Sequence, residues 1–217
     1  MNNYLTIARE ASAEQTIEKS RFIALVFSVQ TKEEAQKNLD QVKKDWPNAR
    51  HYVYAYRLYK NKYEKASDDG EPQGTGGRPV LDHLQYNKIW DAQIIVVRYF
   101  GGILLGTGGL TRAYGSTARL ALDKAGLVKM IPYVLYRLTV PYTWYGQIKH
   151  GLTQKGWQYD NEVFEENVTL EVRIPLEQQT YFEQWLDETT NKQVQREMIA
   201  NIQGRETHKV DIHYNNS

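Results

Sequence analysis

"RYFGGILLGTGGLTRAYGSTARLALDKAG", residues 98–126, carries five glycines in its positions 101–109 and then settles into a helical pattern. Leu110, Ala113, Tyr114, Thr117, Ala118, Ala121, Leu122 and Ala125 recur at the spacing of one helix face, while Arg112, Arg119 and Lys124 fall outside that stripe. Gly126 supplies the stop. Just upstream, "AQIIVVRYF" (92–100) is apolar without alternation, the pattern of a strand buried on both faces. A buried strand thus turns abruptly through bare backbone into a packed helix.

Working outward, "RFIALVFSV" makes Ser20 to Val29 a predicted strand, rich in aromatic and β-branched residues. Thr31 and Glu34 have capping-box spacing, so a helix is expected from there to about Trp46, ahead of Pro47. "HYVYAYRLY" (51–59) alternates, placing Tyr52, Tyr54, Tyr56 and Leu58 on one strand face. After the loop "KASDDGEPQGTGGRP", Pro79 opens a short helix running to about Lys88. Beyond Pro132 the pattern restarts: a strand in 133–142, a helix ending at Gly156, strands in 157–166 and 167–175, a helix in 176–190 and a last strand within 194–214. Strand, helix, strand, strand, helix, strand is the order of a ferredoxin-like split βαβ domain. The expected domains are therefore 1–132 and 133–217.

Composition narrows the chemistry. At 217 residues and 41% hydrophobic, the chain has enough apolar surface for packed cores. The absence of cysteine excludes disulfides, thiolate metal sites and thiol nucleophiles. No run approaches the roughly 18 apolar residues of a membrane span, and Met1 to Glu10 lacks the apolar stretch of a signal peptide, so a cytoplasmic protein without a membrane partner is expected. The net charge is only +1, but residues 1–132 hold 19 Lys and Arg against 14 Asp and Glu, and residues 133–217 hold 8 against 12. Two readings of that asymmetry stand: an anionic partner such as RNA for the first half, or ordinary surface variation.

Ten of the fifteen glycines fall between Gly70 and Gly115, in two loops that each precede a helix. Bare backbone at a helix N-terminus suits a phosphate or carboxylate, and it equally suits a tight turn with close helix packing. Gly101, Gly102, Gly106, Thr107, Gly108 and Gly109 are the candidates, although Thr107 and Gly108 stand where a phosphate-binding P-loop needs Lys and Ser or Thr. In the other loop, "SDDGEP" concentrates Asp68, Asp69 and Glu71, with Thr75 nearby, but its acids lack calcium-loop spacing and no metal site or cofactor is expected. His51 is a candidate base beside these acids. Arg98 closes an apolar strand, so it must pair with a carboxylate or point into a site; Asp68, Asp69 and Glu71 are the candidate partners, and Tyr99 and Phe100 are placed to stack beside it.

"SRFIA" (20–24), "ARHYVYAYR" (49–57), "SDDGEPQGTGGRPVL" (67–81) and "VVRYFGGILLGTGGLTRAYG" (96–115) together resemble the IMPACT family, in particular its bacterial YigZ-like branch. The resemblance covers almost the whole chain. It implies an α+β chain of two domains, a first like domain 2 of ribosomal protein S-five and a ferredoxin-like second resembling the last domain of elongation factor G. It also implies a link to translation, because eukaryotic members restrain a starvation-responsive initiation-factor kinase. The expected function is a non-catalytic regulator of translation that binds RNA, the ribosome or a regulatory protein, with no role for DNA. Arg50, Arg57, Arg78, Arg98 and Arg112 would supply the positive charge of that surface. The alternative is an enzyme acting on a phosphorylated or carboxylated small molecule, with His51, Asp68, Asp69 and Glu71 as its acid–base groups.

Overall fold

A computed structural model describes residues 2–206 and places the apolar run before Arg98 at the centre of a five-stranded sheet. The described residues fall into two units, Tyr4–Lys129 and a second made of residues 2–3 and 130–206. In chain order the first unit contains β1 (Tyr4–Ile7), β2 (Ala11–Ile17), β3 (Ser20–Ser28), α1 (Lys32–Asp45), β4 (His51–Leu58), β5 (Tyr63–Ser67), α2 (Gly77–Tyr86), β6 (Ala92–Tyr99) and α3 (Gly106–Ala125). The sheet order is β2-β3-β6-β4-β5 with every neighbouring pair antiparallel.

β6 alternates between two cores. Ile94 and Val96 pack with Phe22, Val53 and the apolar stripe of α3, and Ile95 and Val97 pack with Leu39 and Val42 of α1. Every stripe residue expected on the helix after the glycines is buried, and Gly126 ends α3 at φ +64° with its N–H on Leu122 O. The tyrosine face of β4 lies on the α1 side, and the Tyr52 hydroxyl donates to Trp46 O at 2.7 Å. Those rings are spent largely on packing.

Some local expectations shift. The Thr31 hydroxyl accepts from Glu34 N at 3.1 Å, as a capping box requires, but the Glu34 carboxylate reaches one residue further back, to Gln30 N. α2 opens at Gly77, two residues before Pro79, because Asp68 caps it from the preceding loop. β1, β2 and β5 have no counterpart in the sequence reading. β2 and β5 expose polar side chains such as Glu14, Glu64 and Lys65, which blurs the apolar alternation of an edge strand. The β2–β3 turn runs through Glu18 and Lys19, both at positive φ, with no glycine to announce it.

The second unit follows β7 (Leu127–Val140), α4 (Tyr142–Gln154), β8 (Gln158–Phe164), β9 (Val168–Pro175), α5 (Gln179–Thr190) and β10 (Gln195–Arg205). Its antiparallel order β10-β7-β9-β8 is that of the split βαβ fold, with Val134, Leu138, Ile148, Leu170, Phe182 and Leu186 in one core. β7 begins six residues before the expected start at Tyr133, and Pro132 sits inside it opposite Gln203. The part of the expected last strand beyond residue 206 lies outside the described residues. Among the described residues no helix is long and apolar enough to cross a membrane.

Candidate functional site

Strand register assembles the site. Phe22 of β3, Arg98 of β6 and His51 of β4 are direct cross-strand neighbours at one end of the sheet. By strand alternation they share the face that carries α3. Arg98 is only 4% exposed, so its charge requires a partner. It finds Glu71, with Nη1 2.5 Å from Oε1. Tyr114, in the α3 stripe, donates its hydroxyl to the same oxygen at 2.7 Å and packs edge-on against Phe22. Burial, reinforced by the Glu71 carboxylate, holds the Tyr114 phenol far above its ordinary value, so it stays a donor. The guanidinium of Arg98 also lies over the rings of Phe22 and Phe100. Tyr99, on the opposite face, instead donates its hydroxyl to Pro47 O.

The three carboxylates of "SDDGEP" take three separate jobs. Asp68 accepts from the N–H groups of Gly74, Gly76 and Gly77 at 2.8–2.9 Å, capping α2. Burial opposes its ionisation, but those three amides outweigh burial and hold its pKa below the ordinary value. Asp69 accepts from Tyr52 N at 2.6 Å and binds the loop to β4. Only Glu71 faces Arg98. His51 completes the arrangement: Nδ1 lies 2.7 Å from Asp69 O, and because a carbonyl only accepts, Nδ1 carries the hydrogen. Its Nε2 is left 3.7 Å from Glu71 Oε1.

These residues border a cavity of about 430 Å³. Its lining includes the polar Arg50, His51, Glu71, Arg98 and Thr107 together with Phe100, Leu104, Leu105, Gly106 and Leu110. α3 begins at this rim with no side-chain cap and no acid in its first turn. Arg112 is exposed, and its Nη1 would lie 3.6 Å from a Cβ placed on Gly108, so the guanidinium rests over that same turn. Gly101 has a different reason to be glycine: an added Cβ would come 2.0 Å from the Lys19 backbone, so the loop passes tightly over the β2–β3 turn. Gly102 and Gly106 hold positive φ, and a Cβ at Gly109 would press on Leu105.

Three of the five arginines do not line this cavity: Arg112 is beside the first turn of α3 but outside the lining, and Arg57 and Arg78 are placed elsewhere. Arg57 is buried behind the sheet end, donating to Leu84 O and Ile89 O, pairing with Glu64 and lying 3.7 Å over Trp90. Arg78 is exposed on α2 and pairs with Asp82. Thr75 is buried, its hydroxyl donating to Pro72 O within the loop. Arg98 is a buried post and no free surface charge, so removing it would disturb the fold before any ligand. The residue that sequence reasoning left in the core is Tyr114; its one signal was a phenol in a stripe of small and aliphatic residues, since a buried hydroxyl needs a partner.

The chain is similar to known proteins along most of its length. Residues 18–122 match the family described as the Impact N-terminal domain, and residues 138–193 match a domain of unknown function (DUF1949). The chain is 37% identical to a protein of Bacillus subtilis (strain 168) named IMPACT family member YvyE, over 88% of each chain. It is 34% identical to IMPACT family member YigZ of Escherichia coli (strain K12), over 81% of this chain and 87% of that one. A solved structure titled as a crystal structure of an hypothetical protein aligns at TM-score 0.60 and 32% identity, covering 92% of this chain and 98% of its own.

Proposed function

The chain belongs to the IMPACT family, and from that premise we propose that it is a non-catalytic, translation-associated regulatory protein that binds structured RNA of the ribosome through the cleft at the head of α3. One observation carries this reading: each carboxylate of the "SDDGEP" loop already has a partner within the fold, while α3 starts without a side-chain cap at the cavity and Arg50, on the cavity lining, and Arg112, on α3, are exposed. An arrangement with its acids neutralised and its donors open is suited to hold an anion. The family's role in translation in eukaryotes supports the choice of partner.

A second reading, an enzyme acting on a phosphorylated or carboxylated small molecule, draws on the placement of His51 Nε2 near Glu71 at the cavity wall. It loses Asp68 and Asp69 as acid–base groups, because backbone amides occupy both.

Co-sedimentation with ribosomes over a salt series tests the first reading, comparing wild type with an Arg50→Ala, Arg112→Ala double variant. Binding that weakens steeply with salt, and that falls in the variant with a flatter salt slope, supports it. No binding at low salt, or binding indifferent to salt and to both substitutions, overturns it.

A further inference from the structure

We propose that the groove between α1 and the edge strand β5 is a docking site for an acidic, extended segment of a partner protein, added to the sheet as a further strand. The groove lies on the α1 side of the sheet, away from the head of α3, and its occupancy is independent of the RNA reading.

The backbone supplies one half of the site. β5 ends the order β2-β3-β6-β4-β5, and no strand lies beyond it among the described residues. An outer edge of this kind presents N–H and C=O groups that an extended chain can pair with. In the register with β4, Lys65 stands opposite Tyr56 and Glu64 opposite Arg57. Glu64 is turned to the α2 side, where Arg57 pairs with it and Gln85 donates to it at 2.6 Å. Tyr63 and Lys65 are left on the α1 side, and with Tyr56 they line the groove.

Charge selects the occupant. The groove holds about 680 Å³ and is lined by Lys32, Lys37, Lys44 and Lys65 against Glu33 and Asp40. All four lysines are exposed, and none is paired with a carboxylate among the described residues. Asp40 is already engaged by the Gln36 amide at 2.9 Å. The field of the groove is therefore positive, which favours an acidic chain. Side chains of an added strand alternate between faces, so an acid at every second position would meet lysines from both walls. Nucleic acid fits less well. Tyr56 is buried, its ring 6.0 Å from that of Tyr63 and 6.3 Å from that of Tyr54. Lys32 Nζ lies 3.8 Å from the centre of the Tyr63 ring, and Lys65 Nζ lies 5.8 Å from that of Tyr54. The chain's own cations thus cover the rings on which bases would have to stack.

Fluorescence anisotropy on the full chain tests this with a labelled short peptide of alternating Glu and Thr. It is compared with an alternating Lys and Thr peptide of the same length, and with two copies of the acidic peptide, one N-methylated at every Glu and the other at every Thr. The variant is Lys32→Glu, Lys65→Glu. Lys32 opens α1, where an acid complements the helix dipole, and Lys65 is exposed, so the fold is retained. The acidic peptide is expected to bind wild type, with the basic peptide and the variant each weaker by about tenfold or more, as for loss and reversal of two charge pairs. An added strand bonds the sheet along one edge only, so one N-methylated copy should bind like the parent and the other should lose about tenfold or more. That comparison uses wild-type protein and does not depend on the variant. Failure of the acidic peptide to bind at millimolar concentration, equal binding of the basic peptide, an unaffected variant, or equal behaviour of the two N-methylated copies overturns the proposal. Displacement of the peptide by an equimolar single-stranded RNA of the same length overturns it as well, and makes the groove a nucleic-acid site.

Discussion

Each unit buries a tyrosine phenol against a glutamate, and the two pairs behave differently because of what surrounds them. In the first unit, Tyr114 and Arg98 converge on Glu71, whose side chain is 4% exposed, and the three come from α3, β6 and the α2-side loop. In the second, Tyr136 donates to Glu183 of α5, which is only half-buried and has Gln179 as a further partner. The first pair holds a full charge out of water and ties a loop to the sheet at the edge of a cavity. The second fastens a helix to the strand beneath it. Tyrosine–glutamate pairs are thus alike in chemistry and unequal in consequence: burial and an added cation make one a keystone, and partial exposure makes the other a local staple.

The largest difference should appear on removing the acids. Glu71→Ala strands a buried guanidinium and a phenol, and is expected to lower stability by about 3–5 kcal/mol in urea denaturation, as for breaking a buried ion pair. Glu183→Ala should cost only about 1 kcal/mol, the worth of an ordinary hydrogen bond. Equal losses would remove the distinction.

Asp68→Ala comes next, at about 1–2 kcal/mol by thermal melting, as for losing a strong N-cap. Because the folded pKa of Asp68 is lowered, the stability it contributes is fully present above its unfolded value near 4 and is lost as pH falls through the folded value. The gap between wild type and Asp68→Asn should therefore close in acid. A gap that widens in acid would contradict the capping role.

The smallest effect sharpens the same contrast at high pH. Burial, then the Glu183 carboxylate, pushes the Tyr136 phenol up to about 12, and burial with Glu71 pushes Tyr114 higher still. Raised phenols contribute stability that is present below about pH 10 and is lost as pH rises through the folded values. In phenolate absorbance, Tyr136→Phe should lower the signal gained up to about pH 12, before Tyr114→Phe has any effect. The reverse order would mean that Glu71 and Arg98 do not enclose Tyr114 as described.

Much of this architecture was legible because burial writes a periodic signature. β6 shows an unbroken apolar run since both its faces are covered, and α3 shows a clean stripe. β2 and β5 escaped notice because polar edge positions blur alternation and because Glu18 and Lys19 turn the chain without glycine. The site was legible only in part. Arg98 announced itself by closing an apolar strand, and its partner lay among the three acids proposed for it. Arg50 and Arg57 look alike in sequence, yet one is exposed and the other is enclosed by two carbonyls and Trp90, a difference made by tertiary packing. Tyr114 lies 43 residues from Glu71, and helical periodicity alone assigns it to the core.

The central claim is that the head of α3 is the surface that meets RNA, and amide chemical-shift mapping of the isotope-labelled chain during titration with a ribosomal RNA hairpin tests it most directly. The account predicts that the largest shifts fall on Gly106, Thr107, Gly108 and Arg50, weakening together as salt is raised. Largest shifts on the lysine-bearing face around Lys32 and Lys65, or in the second unit, would contradict it.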